Sequence, residues 1–209
     1  GDTLQALNTG GNDKPNPRAP MDIADLQTTG TRILGNIYLE ITPFEWLMLK
    51  TTPSAEVSNN HTRDWFPSFE SGVREKPSDD LTENFADNLT LSIENQLTIT
   101  KSFDNHNFVL TGVHHARSYN GFSSNVRVSG FEYESLNTLH NSKYKIEGFE
   151  PTIAGYYTPV RWSSYLGRII YDYSGKYLLT ASIRRDGNSR FGPGNRWGTF
   201  PSASLGWKL

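Results

Sequence analysis

The chain has no cysteine, which excludes a disulfide framework and a thiolate metal site and leaves a thiol-oxidising compartment open. Long hydrophobic runs are missing too. The longest, Trp46 to Leu49, is far short of the roughly 20 residues a membrane helix needs. Charge of one sign is absent: 20 basic against 22 acidic residues leave a net charge of -2, too weak a field to steer nucleic acid or a strongly acidic ligand. No HExxH pattern, P-loop or GxSxG elbow occurs. His114 and His115 are neighbours on a strand pattern, so they point to opposite faces and cannot chelate one metal together. The acidic pairs Asp79 with Asp80 and Glu132 with Glu134 sit in polar stretches without a catalytic constellation and read as solvated surface. Asp186, Gly187 and Asn188 lack the rest of a calcium loop and read as a turn, with Gly187 free to take positive φ. The reading is of no enzyme, no metal and no cofactor.

What the chain does have is period-two alternation, the mark of strands with one apolar and one polar face. Ile33, Gly35, Ile37, Leu39 and Ile41 share one side of the first run. Leu47, Leu49, Thr51, Ala55 and Val57 follow, with a bulge expected at Pro53. Leu89, Leu91, Ile93, Leu97 and Ile99 alternate with Thr90, Ser92, Glu94, Gln96 and Thr98, interrupted on the apolar side only by Asn95. Phe108–Arg117 reads as a strand whose faces the pattern does not assign. Tyr165, Gly167, Ile169, Tyr171 and Tyr173 oppose Ser164, Leu166, Arg168, Ile170 and Asp172. Tyr177, Leu179, Ala181 and Ile183 form the sixth run, and Pro201, Ala203, Leu205, Trp207 and Leu209 the seventh.

The connections between runs alternate in length. Short ones lie at Thr42–Glu45, Ser102–Asn107 and Ser174–Lys176; long ones at Asn59–Asp87 and Ser118–Val160; an intermediate one at Asp186–Arg196. Outer-membrane barrels have this rhythm of short periplasmic turns and long extracellular loops, with aromatic girdles where lipid meets water. The short turns are flanked by Phe44 and Trp46, Phe103 and Phe108, and Tyr173 and Tyr177. A content of 35% hydrophobic residues is compatible with such a barrel, because lumen-facing polar residues dilute the lipid-facing ones by half.

One stretch is far more specific. IRRDGNSRFGPGNRWGTFPSASLGWKL, Ile183 to Leu209, resembles the late-barrel signature of the SusC/RagA family, TonB-dependent outer-membrane importers of Bacteroidetes. There an RxDGSSRFG-like loop leads into an RWGxFPSxSxGW-like strand. Arg184, Asp186, Gly187, Arg190, Phe191, Gly192, Arg196, Trp197, Gly198, Phe200, Pro201 and Trp207 fit it, and Asn188 stands where serine is more usual. YLGRIIYDYSGKY, Tyr165 to Tyr177, resembles the family's preceding strand-turn segment.

The expected fold is therefore all-β: an antiparallel meander of about seven strands, part of a transmembrane β-barrel, with two long extracellular loops. Residues 1–28 read as a loop segment and 29–209 as part of the barrel. The chain lacks an initiator methionine and a signal peptide and stops inside a strand pattern, which leads to the expectation of a longer protein whose plug domain and remaining strands are not in these residues. If Ile183 faces lipid, Lys50, Glu94, Arg168, Arg184 and Glu40 face the lumen. The resemblance implies glycan or peptide uptake across the outer membrane, with a SusD-like lipoprotein and TonB as partners, TonB acting through the missing plug, and outer-membrane lipid around the wall. An alternative from a different class is a soluble β-sandwich that binds carbohydrate through Trp65, Trp162 and Tyr157 on its loops.

Overall fold

The computed structural model describes residues 23–71, 74–76, 78–142 and 152–208. Ten strands follow one another: β1 (Asp25–Asn36), β2 (Leu39–Phe44), β3 (Leu47–Phe66), β4 (Phe69–Ser71), β5 (Arg74–Lys76), β6 (Asp80–Phe103), β7 (His106–Ser129), β8 (Thr152–Tyr173), β9 (Tyr177–Asn188) and β10 (Trp197–Trp207). Two single-turn 3₁₀ helices, Glu134–Leu136 and Leu139–Asn141, lie between β7 and β8. Eight strands make one sheet in the order β1, β3, β6, β7, β8, β9, β10, with β2 also paired to β3; β4 and β5 form a separate hairpin. The expected seven-strand meander is present, its first run divided into β1 and β2.

The division has a physical cause. Ile37 donates its N–H to the Pro53 carbonyl at 3.3 Å, but Pro53 has no N–H to return, so the ladder loses a bond at that point. Sequence patterning places a bulge on the strand of Pro53. In the structure β3 continues as strand through Pro53, and the interruption falls on its partner at Ile37 and Tyr38.

The long strands also correct the boundaries. β3 runs on to Phe66 and β6 begins at Asp80, so much of the excursion placed at Asn59–Asp87 is strand. β7 likewise continues to Ser129 and β8 starts at Thr152. β1 begins at Asp25, ahead of the expected loop boundary at residue 28; residues 1–22 of that loop, and Leu209, lie outside the described residues. Polar pairs explain why the apolar alternation fades while the strands persist: Thr28 bonds Thr62 at 3.3 Å and Asn59 bonds Asp87 at 2.7 Å, ladders held by side-chain hydrogen bonds rather than apolar contact.

The chain divides into two compact units. The first comprises Gly1–Thr31, Ser58–Asp87 and Phe122–Tyr157 and has a small core of Trp65, Leu81 and Val128, flanked by Val126, Phe131 and Leu139. Trp65 meets Phe131 edge-on at 4.9 Å. Asp79, taken from sequence as solvated surface, is buried in this unit. Its carboxylate accepts the backbone N–H groups of Gly130 at 2.9 Å and Phe131 at 3.2 Å, which fixes the turn where Gly130 takes φ 76. Asp80 binds Lys76 at 3.1 Å and Arg127 at 3.0 Å. Both aspartates serve structure.

The second unit comprises Arg32–Val57, Asn88–Gly121 and Thr158–Leu209. Two of its tight turns are set by local chemistry. Asp104 takes φ 49 between β6 and β7; Ser174 and Gly175 take φ 54 and 66 between β8 and β9, the two successive left-handed residues of a hairpin turn whose twist matches the strands. Lys176 N–H donates to the Tyr173 carbonyl at 3.0 Å and Gly175 N–H to Asp172 Oδ1 at 2.9 Å.

Leu81 is fully buried, so Leu81→Ala removes methyl groups and leaves a cavity. It should cost the first unit about 2–5 kcal/mol. Amide hydrogen exchange along Trp65, Leu81 and Val128 should show the loss, with the β9–β10 ladder unchanged.

Candidate functional site

The register of β8, β9 and β10 defines two chemically different faces. Gly167 pairs with Ile183, Ile169 with Ala181, Tyr171 with Leu179 and Tyr173 with Tyr177. On the other edge of β9, Ile183 pairs with Pro201, Ala181 with Ala203, Leu179 with Leu205 and Tyr177 with Trp207. Directly opposed residues of an antiparallel pair share a face, so these side chains form one apolar surface three strands wide. The reverse face carries Arg168 opposite Ser182, Leu166 opposite Arg184 and Ser164 opposite Asp186, then Ser182 opposite Ser202 and Thr180 opposite Ser204. Ser182 and Ser202 are bonded at 2.9 Å.

Among the described residues, nothing covers the apolar face of this unit. Ile33, Ile37, Leu49, Leu91, Ile93, Leu110, Ile183 and Leu205 are all exposed, Leu205 to 85%. A soluble sheet buries such a face against a second layer; the sole buried apolar side chain of this unit among the described residues is Val160.

Aromatic rings gather at the short-turn end. Phe103 stacks on Phe108 at 5.6 Å, Phe108 meets Tyr171 at 4.7 Å, Tyr173 meets Tyr177 at 6.3 Å and Tyr177 meets Trp207 at 6.5 Å. Phe44 and Trp46 stack at 5.3 Å beside their own turn. The same contacts assign the faces of β7 that alternation leaves open. His106 bonds the Tyr171 hydroxyl at 2.7 Å, and His114 stacks on Tyr165 at 4.8 Å. His106, Phe108 and His114 therefore lie on the apolar side, one register of β7 apart from His115. The missed signal was small residues: Gly112 and Ala116 occupy the same register and carry no hydrophobic weight.

Lys50, Glu94, Arg168 and Arg184 share the polar face. Thr51 donates to Asn95 Oδ1 at 2.8 Å, so Thr51 and Asn95 share a side, and their neighbours Lys50 and Glu94 take the other. Lys50 opposes Glu40 in the ladder, with Nζ 3.6 Å from the carboxylate and 4.5 Å from the Tyr38 ring. Arg184 Nε donates to both Asp186 oxygens at 2.8 and 2.9 Å. Arg117 lies 5.0 Å over Trp162 on this face as well.

The motif loop is shorter than expected, because β9 continues to Asn188 and β10 starts at Trp197. Gly187 does not take positive φ; Gly194 does, at φ 89. Gly187 is needed for space instead: a Cβ there would lie 2.9 Å from three atoms of the Trp197 indole, which lies flat over the bare backbone. Gly198 likewise accommodates Phe200, whose ring would be 2.9 Å from an added Cβ. Asn188 Oδ1 accepts the Arg190 N–H at 2.9 Å, and Arg196 Nε donates to the Phe191 carbonyl at 3.2 Å. Phe191 is exposed and Gly192 has open space around it. Thus the motif's Gly, Asn and Arg residues fold the hairpin. Pro201 sits in β10, opposite Ile183.

The residues proposed for a sugar platform are not gathered on loops. Trp65 is buried in β3, Trp162 lies in β8 against Arg117, and Tyr157 is an exposed residue of β8. No group of three or more His, Asp or Glu side chains suited to a metal occurs among the described residues.

No family model matches the chain. Curated relatives do. It is 39% identical over 116 residues, 52% of its length and 11% of the relative's, to TonB-dependent receptor P39 of Formosa agariphila. Over 46 residues, 22% of this chain and 5% of the relative, it is 56% identical to TonB-dependent receptor SusC of Bacteroides thetaiotaomicron. A longer match, 27% identical over 93% of the chain and 20% of the relative, is to TonB-dependent receptor P26 of Formosa agariphila. The chain thus spans a fifth or less of the length of the curated relatives it matches. Among solved structures, the RagAB peptide transporter superposes with a TM-score of 0.77 at 22% identity, over 88% of this chain and 20% of that one. The fold is that of a section of such a barrel wall.

Gly187→Ala should force the Trp197 indole off the strand and cost about 1–3 kcal/mol. Asp186→Asn, at an exposed ion pair, should cost no more than about 1 kcal/mol. Thermal unfolding of the folded protein, followed by tryptophan fluorescence, separates the two.

Proposed function

We propose that the chain is a section of a SusC/RagA-like TonB-dependent receptor and forms part of the barrel wall of an importer in the outer membrane, a reading supported by its similarity to TonB-dependent receptors and by its fold. The observation that carries this reading is the uncovered apolar face backed by a charged one. In a bilayer the first meets acyl chains and the second lines a water-filled interior. A spanning sheet must also close so that no edge is left unpaired; the remaining strands come from outside these residues.

In this reading the long connections between β3 and β6 and between β7 and β8 face outward, and the short turns with their aromatic rings face the periplasm. Lys50, Glu94, Arg168 and Arg184 line the lumen and bias the solutes that pass. Cargo is an oligosaccharide or a peptide, delivered with a SusD-like lipoprotein, and transport draws energy from TonB through a plug domain. The wall performs no catalysis. Residues 29–209 act as one barrel section.

Uptake by intact cells tests this directly. Cells lacking the full-length receptor should lose energy-dependent uptake of either fluorescent oligosaccharides or fluorescent peptides, and complementation should restore it only when TonB is functional. Arg168→Glu with Arg184→Glu should leave barrel assembly intact and change uptake of charged cargo at least several-fold. Unchanged uptake of both cargo classes in the deletion strain would defeat the proposal.

A further inference from the structure

The apolar face carries a groove of about 620 Å³ at the far end from the aromatic turns. Leu91 and Ile93 wall it on one side and Trp197 on the other, with Ala116, Ser163 and Gly187 at its floor. Gly187 lies beneath the Trp197 ring, where an added Cβ would meet indole atoms at 2.9 Å. It lies on the outward side of the proposed wall, because Ser163 pairs with Gly187 and Gly187 with Trp197 in the register that also carries Ile183 and Leu205.

Three arginines border this groove. Arg161 and Arg196 line it, and Arg161 alternates with Trp162 onto the same side as Ser163. Arg185 opposes Tyr165 and Thr199 and holds its guanidinium 5.0 Å over the Trp197 ring. None of the three has a carboxylate partner among the described residues; the nearby Asp186 is engaged by Arg184 on the opposite face. Unpaired cations on a lipid-facing surface are costly unless they reach a headgroup. Their height fits that: eight residues from Tyr177 to Arg185 span about 27 Å of strand, or about 20 Å of depth at a tilt of about 40°. That places Arg185 near the far edge of an apolar band about 25 Å tall, with Arg196 and Arg161, at the level of Asn188 and Ser189, just beyond it.

We propose that this groove binds a phosphate-bearing membrane lipid, one acyl chain lying between Leu91, Ile93 and Trp197 and the phosphate held by Arg161, Arg185 and Arg196. Guanidinium groups suit phosphate oxygens bidentately, and the occupant supplies the negative charge this face lacks. A second copy docked on the same surface would set three cations against three. Imported cargo travels on the opposite face. The inference rests on the barrel-wall reading.

The test uses the full-length receptor reconstituted into nanodiscs of phosphatidylglycerol mixed with phosphatidylcholine, with retained lipids counted by native mass spectrometry after gentle release. At least one phosphatidylglycerol should stay bound, about tenfold enriched over phosphatidylcholine, and high salt should reduce the enrichment. Combined Arg161→Gln, Arg185→Gln and Arg196→Gln should abolish it, while Arg168→Gln with Arg184→Gln should not. Ala116→Phe, which fills the groove and leaves the cations, should also lower retention. Equal retention in the parent and the triple variant would overturn the proposal while leaving the barrel intact. Failure of the parent receptor to enter nanodiscs would overturn the barrel-wall reading and this inference with it.

Discussion

The structure of the second unit depends on one constraint, the unbroken register from β8 through β9 to β10. Antiparallel pairing at fixed phase means that Tyr173, Tyr177 and Trp207 share one row, Ile169, Ala181 and Ala203 another, and Gly167, Ile183 and Pro201 a third. A slip of one residue would send Leu179, Leu205 and Ile183 to the side of Arg168, Arg184 and Ser202. Among the described residues, nothing packs over either face to correct such an error, so register is specified by the turns and by cross-strand pairs. The Ser174–Gly175 turn pins β8 to β9, and the Ser182–Ser202 bond supports β9 against β10.

The two units follow different rules of burial. The first holds together as a small soluble-type structure does, with Trp65, Leu81 and Val128 packed inside and Asp79 satisfied by two backbone N–H groups. In the second, apolar side chains point away from the protein and polar ones are tolerated on the reverse. The energy that a core would supply must there come from the hydrogen-bonded ladder and from the surroundings, which in the proposed barrel wall are lipid.

Much of this was legible in the sequence because period two is a direct consequence of the pleat. Tyr165 to Tyr173 and Tyr177 to Ile183 display it without interruption, and the structure pairs them in the expected phase. Phe108–Arg117 was not legible: Gly112, His114 and Ala116 occupy the apolar side without apolar bulk, and contacts of Phe108 with Tyr171 and of His114 with Tyr165 reveal it. The ends of β3 and β6 were read as loop because Asn59, His61, Glu83 and Asp87 pair through hydrogen bonds, at 3.2 Å for His61 and Glu83, instead of through hydrophobic contact. Gly187 was misread for a related reason, since one sequence letter does not distinguish a glycine kept for its φ from one kept clear for an indole. Trp65 shows the converse limit: an aromatic within a polar stretch looked like a surface platform but anchors a core.

The central claim is that one face of this sheet meets lipid and the other water, and accessibility along β9 in the membrane tests it most directly. This chain's lack of cysteine allows single nitroxide labels at Leu178, Leu179, Thr180, Ala181, Ser182 and Ile183 in the assembled receptor, given a cysteine-free background. Collision rates with oxygen and with a water-soluble nickel chelate should alternate with period two, oxygen favoured at Leu179, Ala181 and Ile183 and nickel at Thr180 and Ser182. Rates that are uniform along the strand, or that alternate in the opposite phase, would contradict the account.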